Sequence, residues 1–224
     1  MTRTTNARIA GSAFLLYIVA GITQMVLLGR ATAGEGTAAK LVSIAQHVTY
    51  MRIGVLLTLV EALCAFVLAV TLYAITREQD RDIAMLGLIC RVAEGITGLF
   101  VARSLGLLWL ASGEAAGADA GATQLLASFL LRLGAWSPGA TLFAMGSALF
   151  SFLMLRGRIV PVGLASLGVF ASAVLVVLLP LQLVQLASAP ITVYMWLPML
   201  AFELTLAMWL LVKGAAQPTR RQST

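Results

Sequence analysis

Six long apolar stretches constrain the fold of this chain more than any other feature of its sequence. They occupy residues 9–29, 53–76, 83–111, 137–155, 159–186 and 191–212. A helix needs about 20 apolar residues to cross a bilayer, and each stretch is close to that length or longer. Helices on the surface of a soluble core keep a charged face, whereas these stretches carry almost no charge. The sequence therefore predicts an all-α fold, a polytopic membrane helix bundle with six transmembrane helices.

The composition agrees with a chain that lies mostly in lipid. Of its 224 residues, 60% are hydrophobic and 11% are charged. Soluble domains are about half apolar and about a quarter charged, so a soluble fold of this size could not bury so much apolar surface. Six crossings joined by short loops leave no room for a separate soluble domain. We predict a single transmembrane domain over residues 1–224, with the lipid bilayer as its partner.

Most of the Lys and Arg residues that give the net charge of +6 lie in the termini and in the loops between the predicted spans. When successive loops are assigned to alternate sides, nine Lys and Arg residues fall on one side, whereas only Arg30 and Lys40 fall on the other. The nine are Arg3, Arg8, Arg77, Arg81, Arg156, Arg158, Lys213, Arg220 and Arg221. Cytoplasmic loops carry an excess of Lys and Arg, so both termini are predicted to be cytoplasmic. No basic stripe with interleaved aromatic residues is present, and no nucleic-acid partner is expected.

Two longer segments on the opposite side have apolar residues at helical spacing. The pattern in residues 31–51 predicts a short interfacial helix. Residues 123–133 show the same pattern, and Gly134 and Pro138 are expected to separate them from the fourth span. The alternative is a single longer, kinked fourth helix.

Small and polar residues share one face on several spans. These faces comprise Tyr17, Gly21 and Gln24; Gly54, Thr58, Glu61 and Ala65; Gly87, Arg91, Glu94 and Gly98; Ala140, Ala144 and Ala148; and Gly168 and Ser172. Small residues at such spacing let helix backbones approach closely in membranes. We expect the small residues of the fourth and fifth spans to serve packing within one bundle.

Three segments of the chain resemble a known family. They are residues 7–11 (ARIAG), 155–161 (LRGRIVP) and 203–214 (ELTLAMWLLVKG). In order and spacing they are similar to the bacterial membrane family called domain of unknown function 4386, and the resemblance runs from about residue 7 to residue 214. It implies a multi-pass protein of the bacterial inner membrane. It supplies no reaction, substrate or catalytic residue.

Four ionisable residues lie deep within the predicted spans and form a candidate intramembrane polar site. They are Glu61 in the second span, Arg91 and Glu94 in the third, and Glu203 in the sixth. Ionisable groups are costly inside a bilayer, so each is a hypothesis for a functional site. Arg91 and Glu94 are three residues apart, share a helix face, and can form an ion pair.

The depth of these residues follows from the helical rise of about 1.5 Å per residue. Glu203 should lie near the level of Arg91 and Glu94, so Arg91 is expected to bridge the two carboxylates, while Glu61 should lie about 6 Å further out than Glu94. Pro198 is expected to weaken the helix five residues before Glu203. A broken helix beside a buried carboxylate is a feature of transporter sites.

The sequence leaves three functions open. The favoured one is a small transport or ligand-binding bundle whose charge cluster holds a small molecule, a lipid or a coupling proton. The alternatives are a membrane-embedded enzyme acting on lipid and a non-catalytic accessory subunit of a membrane complex.

The enzyme interpretation is weaker because the sequence has no HExxH, GxSxG or metal-ligand cluster and a single histidine, His47. We therefore assign no catalytic residue, metal or cofactor. The buried charges could also simply neutralise one another and hold the bundle together.

Overall fold

Long apolar helices dominate the structure of this chain. A computed structural model describes residues 2–112, 119–133, 138–184, 186, 191 and 194–216. Five helical ranges are long and apolar enough to cross a membrane by length and composition: Arg3–Ala31, Val48–Thr76, Arg81–Ala111, Gly121–Arg156, of which residues 134–137 are outside the described part, and Val162–Leu183. Large apolar side chains such as Val70, Phe170 and Val177 remain exposed on them, as expected of helices that face lipid. The chain is an all-α, polytopic membrane helix bundle, as predicted.

The described residues contain nine helices. They are α1 (Arg3–Ala31), α2 (Gly36–Gln46), α3 (Val48–Thr76), α4 (Arg81–Leu99), α5 (Ala102–Ala111), α6 (Ala120–Leu133), α7 (Pro138–Arg156), α8 (Val162–Leu183) and α9 (Leu197–Val212). The sixth predicted span is represented by α9, whose 16 residues make it shorter than the five ranges above.

The contacts divide the chain into two compact units. The first takes its described residues from Met1–Ile18, Leu63–Gly95 and Pro138–Thr224, and the second from Val19–Ala62 and Ile96–Ser137. Residues of α1, α3 and α4 occur in both units, whereas α7, α8 and α9 belong to the first and α2, α5 and α6 to the second. The single transmembrane domain stays a prediction.

Glycines allow close helix packing in the first unit. There α8 packs against both α7 and α9. A Cβ atom on Gly168 would lie 2.6 Å from Ser151 Oγ on α7 and would overlap the ring of Phe202 on α9. On α1, a Cβ atom on Gly11 would lie 2.7 Å from the carbonyl oxygen of Ala207. The predicted packing role of Gly168 is confirmed.

The second unit is built from shorter helices. In it α2, α5 and α6 pack against one another, around a small core of Ala31, Ile44, Met51 and Leu107. The short helices predicted within residues 31–51 and 123–133 are present as α2 and α6. Residues 134–137, where α6 was predicted to separate from α7, lie outside the described residues.

The third predicted span, 83–111, lies within the range Arg81–Ala111, which is long and apolar enough to cross a membrane, but the structure divides this range into two helices. Here α4 ends at Leu99 and α5 begins at Ala102. Gly98, a poor helix former, lies directly before the break. After the break α5 packs against α2 and α6, and Arg103 Nε donates a hydrogen bond to the Leu130 carbonyl of α6 at 3.0 Å. The packing of α5 and the Arg103 hydrogen bond to α6 thus offset the backbone hydrogen bonds that are lost where the helix is interrupted.

Prolines stand at the beginnings of α8 and α9. The fifth span was predicted to begin at residue 159, but α8 begins at Val162, directly after Pro161 at its N-cap. Pro198 lies in the first turn of α9, where its missing N–H removes no intrahelical hydrogen bond. The helix that carries Glu203 thus begins at Leu197, although the sixth apolar stretch begins at residue 191, and the weakening of a longer helix by Pro198 stays a prediction.

The turn between α7 and α8 places an arginine in the left-handed backbone region. Arg158 has a φ of 48°, and the next amide, that of Ile159, donates to the Met154 carbonyl at 3.0 Å. This pattern normally has glycine at the left-handed position. In this turn glycine occurs one residue earlier, at Gly157, where a Cβ atom would lie 2.5 Å from the Gln79 side chain.

Candidate functional site

A buried ion pair lies at the centre of the first unit. Arg91 Nη1 lies 2.9 Å from Glu94 Oε2, one turn further along α4. Only 1% of Arg91 and 7% of Glu94 is exposed. The ion pair predicted from their spacing is confirmed. Together the two residues neutralise each other within the first unit.

A tyrosine from α1 completes the surroundings of Glu94. The Tyr17 hydroxyl donates a hydrogen bond to Glu94 Oε1 at 2.8 Å. Both oxygens of this carboxylate therefore have a partner, one on α4 and one on α1. The sequence placed Tyr17 on a polar helix face, but it gave no reason to pair that face with Glu94.

Two aromatic rings face the Arg91 guanidinium. Its central carbon lies 5.5 Å from the centre of the Tyr17 ring and 4.9 Å from that of the Phe143 ring on α7. A cation at this distance from an aromatic ring is attracted by the quadrupole of the ring. The Phe143 ring also lies 6.1 Å from that of Trp196, just before α9. Sequence analysis missed Phe143, which looked like an ordinary apolar residue.

A glycine on α7 makes room for the arginine side chain. A Cβ atom on Gly146 would lie 3.0 Å from both Cγ and Cδ of Arg91. Those contacts are tighter than ordinary van der Waals separations, so a larger residue would displace the arginine. Gly146 therefore positions Arg91. It lies between the alanines Ala144 and Ala148 that the sequence singled out.

Glu203 is the second buried carboxyl group of this unit. It is 5% exposed on α9, where it interacts electrostatically with both Arg91 and Glu94. Its Oε1 atom is buried and has no hydrogen-bond donor among the described residues. The buried residues around it on α9 are apolar, among them Met199, Phe202 and Leu206.

Arg91 does not bridge the two carboxylates in the way the sequence suggested. Within the described chain it forms an ion pair with Glu94, and no ion pair joins it to Glu203. The reason is local: Arg91 and Glu94 are neighbours on one helix, and the guanidinium is also held against the Tyr17 and Phe143 rings. The structure thus gathers three of the four predicted site residues in one unit.

The fourth residue, Glu61, belongs to the second unit. Its half-buried carboxyl group faces Gly21, whose added Cβ would lie 3.8 Å from the carboxyl carbon. On the same two helices, Gln24 Nε2 donates a hydrogen bond to the Thr58 hydroxyl, which in turn donates to the Gly54 carbonyl. The polar faces predicted for the first two spans thus meet in this unit.

No metal site emerges from the described residues. They contain no group of three or more His, Cys, Asp or Glu side chains that could hold a metal ion. His47 Nδ1 lies 2.9 Å from the Ser43 carbonyl oxygen within α2, and its ring stacks on Tyr50. Within the described chain, the geometry supports hydrogen bonding and charge recognition by Arg91, Glu94 and Glu203.

Comparison with known proteins identifies the family of this chain. The family described as Domain of unknown function (DUF4386) matches residues 9–214. The chain belongs to this family. The match agrees with the resemblance found in the sequence and covers Arg91, Glu94 and Glu203. Among curated proteins and solved structures, none matches this DUF4386 chain.

Proposed function

We propose that this DUF4386 protein is a small transport or ligand-binding bundle that holds its ligand at Arg91 and Glu203. One observation carries the proposal. Arg91 is 1% exposed, yet its Nε and Nη2 atoms have no hydrogen-bond acceptor among the described residues. Glu203 Oε1 similarly lacks a donor. The site thus offers unused donors and an unused acceptor to a polar ligand.

Energetics favour a ligand over a purely structural role. A buried polar group without a hydrogen bond costs about 1–3 kcal/mol, and more when it is charged. A cluster that only held the bundle together would gain most with these atoms paired to protein groups. A ligand that forms hydrogen bonds with them would recover this free energy on binding, whereas a coupling proton would bind to the Glu203 carboxylate. We therefore favour a small polar molecule or a lipid headgroup as the ligand.

We further propose that the protein lies in the bacterial inner membrane with both termini in the cytoplasm. The excess of Lys and Arg in alternate loops supports this orientation. In the first unit, Arg8, Arg77, Arg81, Arg158 and Lys213 are exposed, as cytoplasmic loop charges should be.

Thermal-shift screening of the purified protein against metabolites and lipids tests the ligand proposal. A ligand should raise the melting temperature of the wild type, and Arg91→Lys should weaken this stabilisation because lysine lacks the planar fork of donors. Arg52→Lys, at an exposed position of α3, is the matched control and should respond like the wild type. Equal stabilisation of the wild type and Arg91→Lys by every hit would contradict the proposal.

A further inference from the structure

The buried cluster of the first unit contains more acidic than basic groups. Arg91 contributes one positive charge, whereas Glu94 and Glu203 contribute two carboxyl groups. The only other titratable group of α1 or α4 that interacts with Glu203 is Tyr17, and Cys64 of α3 interacts with Arg91. The helix α8, which packs against α9, has no titratable residue, and α7, which packs against α8, has only Arg156, at its last position.

The two carboxyl groups have unequal surroundings. Glu94 receives both the Arg91 guanidinium and the Tyr17 hydroxyl, which together stabilise a carboxylate. Glu203 Oε1 has neither kind of partner among the described residues. A buried carboxylate without a countercharge or a hydrogen bond is far more costly than the neutral acid. The cluster is therefore neutral when Glu203 carries a proton and Arg91 and Glu94 keep their opposite charges.

We propose that Glu203 is a proton-binding site, occupied at neutral pH while Glu94 stays ionised. This inference deepens the proposed function, because it names the proton as a species that the cluster binds. An O–H bond forms on the Glu203 carboxyl group with a proton taken from water, and release returns the proton to water. Once deprotonated, Glu203 competes with Glu94 for Arg91, whose Nε and Nη2 have no other acceptor in the described chain. Proton release is thereby coupled to a rearrangement of Arg91.

Infrared spectroscopy of the purified full chain tests this assignment without any ligand. At neutral pH the wild type should show the C=O stretch of a protonated carboxylic acid, shifted in D₂O and lost at alkaline pH. The band should be absent from Glu203→Gln and retained in Glu61→Gln. In Glu94→Gln it should weaken, because Arg91 then lacks Glu94 as its ion-pair partner and favours an ionised Glu203. A wild type without the band, or a band that persists in Glu203→Gln, would overturn the proposal.

Stability provides a second readout that does not depend on the band. Glutamine is a neutral mimic of protonated glutamate, so Glu203→Gln should melt within about 2 °C of the wild type at neutral pH, equivalent to about 0.5 kcal/mol. At alkaline pH the variant should melt above the wild type. A variant that fails to fold at neutral pH would show that Glu203 is needed as a carboxylate, and this too overturns the proposal. A failed ligand screen would refute the proposed function and leave the infrared result intact.

Discussion

At the residue scale, the stability of the buried arginine depends on its countercharge. Arg91→Leu would remove the ion-pair partner of Glu94, while the Tyr17 hydroxyl would still donate to its other oxygen. Breaking a buried ion pair costs about 3–5 kcal/mol in soluble proteins, although proton uptake by the carboxylate reduces the loss. We expect a clear fall in melting temperature in detergent, partly reversed in Arg91→Leu with Glu94→Gln. Arg52→Leu, on the exposed part of α3, should have little effect. Equal stability of Arg91→Leu and the wild type would contradict the ion pair.

A second residue-scale prediction concerns the left-handed arginine. At a φ of 48°, a residue with a Cβ atom is strained by roughly 1–2 kcal/mol relative to glycine. Arg158→Gly should therefore raise the free energy of unfolding by about 1 kcal/mol. Gly157→Ala, at the neighbouring position, is the control: its Cβ atom meets the end of the flexible Gln79 side chain, which can move aside, so the variant should not raise the free energy of unfolding. Denaturation of both variants in detergent measures the difference, and destabilisation by Arg158→Gly would refute the strain argument.

The sequence predicts site contacts only where they are local. The pair Arg91–Glu94 followed from a spacing of three residues, which fixes a shared helix face. The bond from Tyr17 to Glu94 joins residues 77 positions apart, so no helical period could indicate it. The roles of Phe143 and Gly146 arise from how α7 meets α4, and that depends on packing between helices.

At the element scale, a glycine sets the distance between α8 and its neighbours. Gly168→Ala would place a Cβ atom against Ser151 and the Phe202 ring, and overpacking of this kind costs about 1–3 kcal/mol. We expect the variant to melt at a lower temperature than the wild type. Gly163→Ala, on the same helix, is the matched control, because a Cβ atom there has no other heavy atom within 4 Å. It should be neutral or stabilising, since alanine favours helices. Equal melting temperatures for the two variants would contradict the close packing of α8.

Helix existence was predictable from the sequence, whereas helix ends were predictable only in part. Apolar runs of the required length located the long helices, because lipid leaves few other ways to satisfy the backbone. The break after Leu99 was missed because the contacts of α5 with α2 and α6 that compensate for it are tertiary. Pro161 and Pro198 were visible in the sequence, but proline can begin a helix as well as break one.

At the scale of the whole molecule, the orientation in the membrane can be measured directly. We expect Asp82→Cys to react with a membrane-impermeant thiol reagent only from the cytoplasmic side, and Glu35→Cys only from the opposite side. Asp82 and Glu35 are both exposed and acidic, so each variant removes one negative charge from an exposed position. A background without Cys64 and Cys90 removes the native thiols. Labelling of both positions from the same side would contradict the predicted topology.

The location of the ion pair on a single helix also bears on how the protein is assembled. Arg91 and Glu94 both belong to α4, so the charge of Arg91 is already paired within this helix when the helix moves from the translocon into lipid. Its insertion does not have to wait for α1 or α7. The helix α9 has Glu203 as its only ionisable residue and must enter the bilayer without such a partner. The order of synthesis suits this difference, because α4 precedes α9 in the chain and is already in the membrane when α9 arrives.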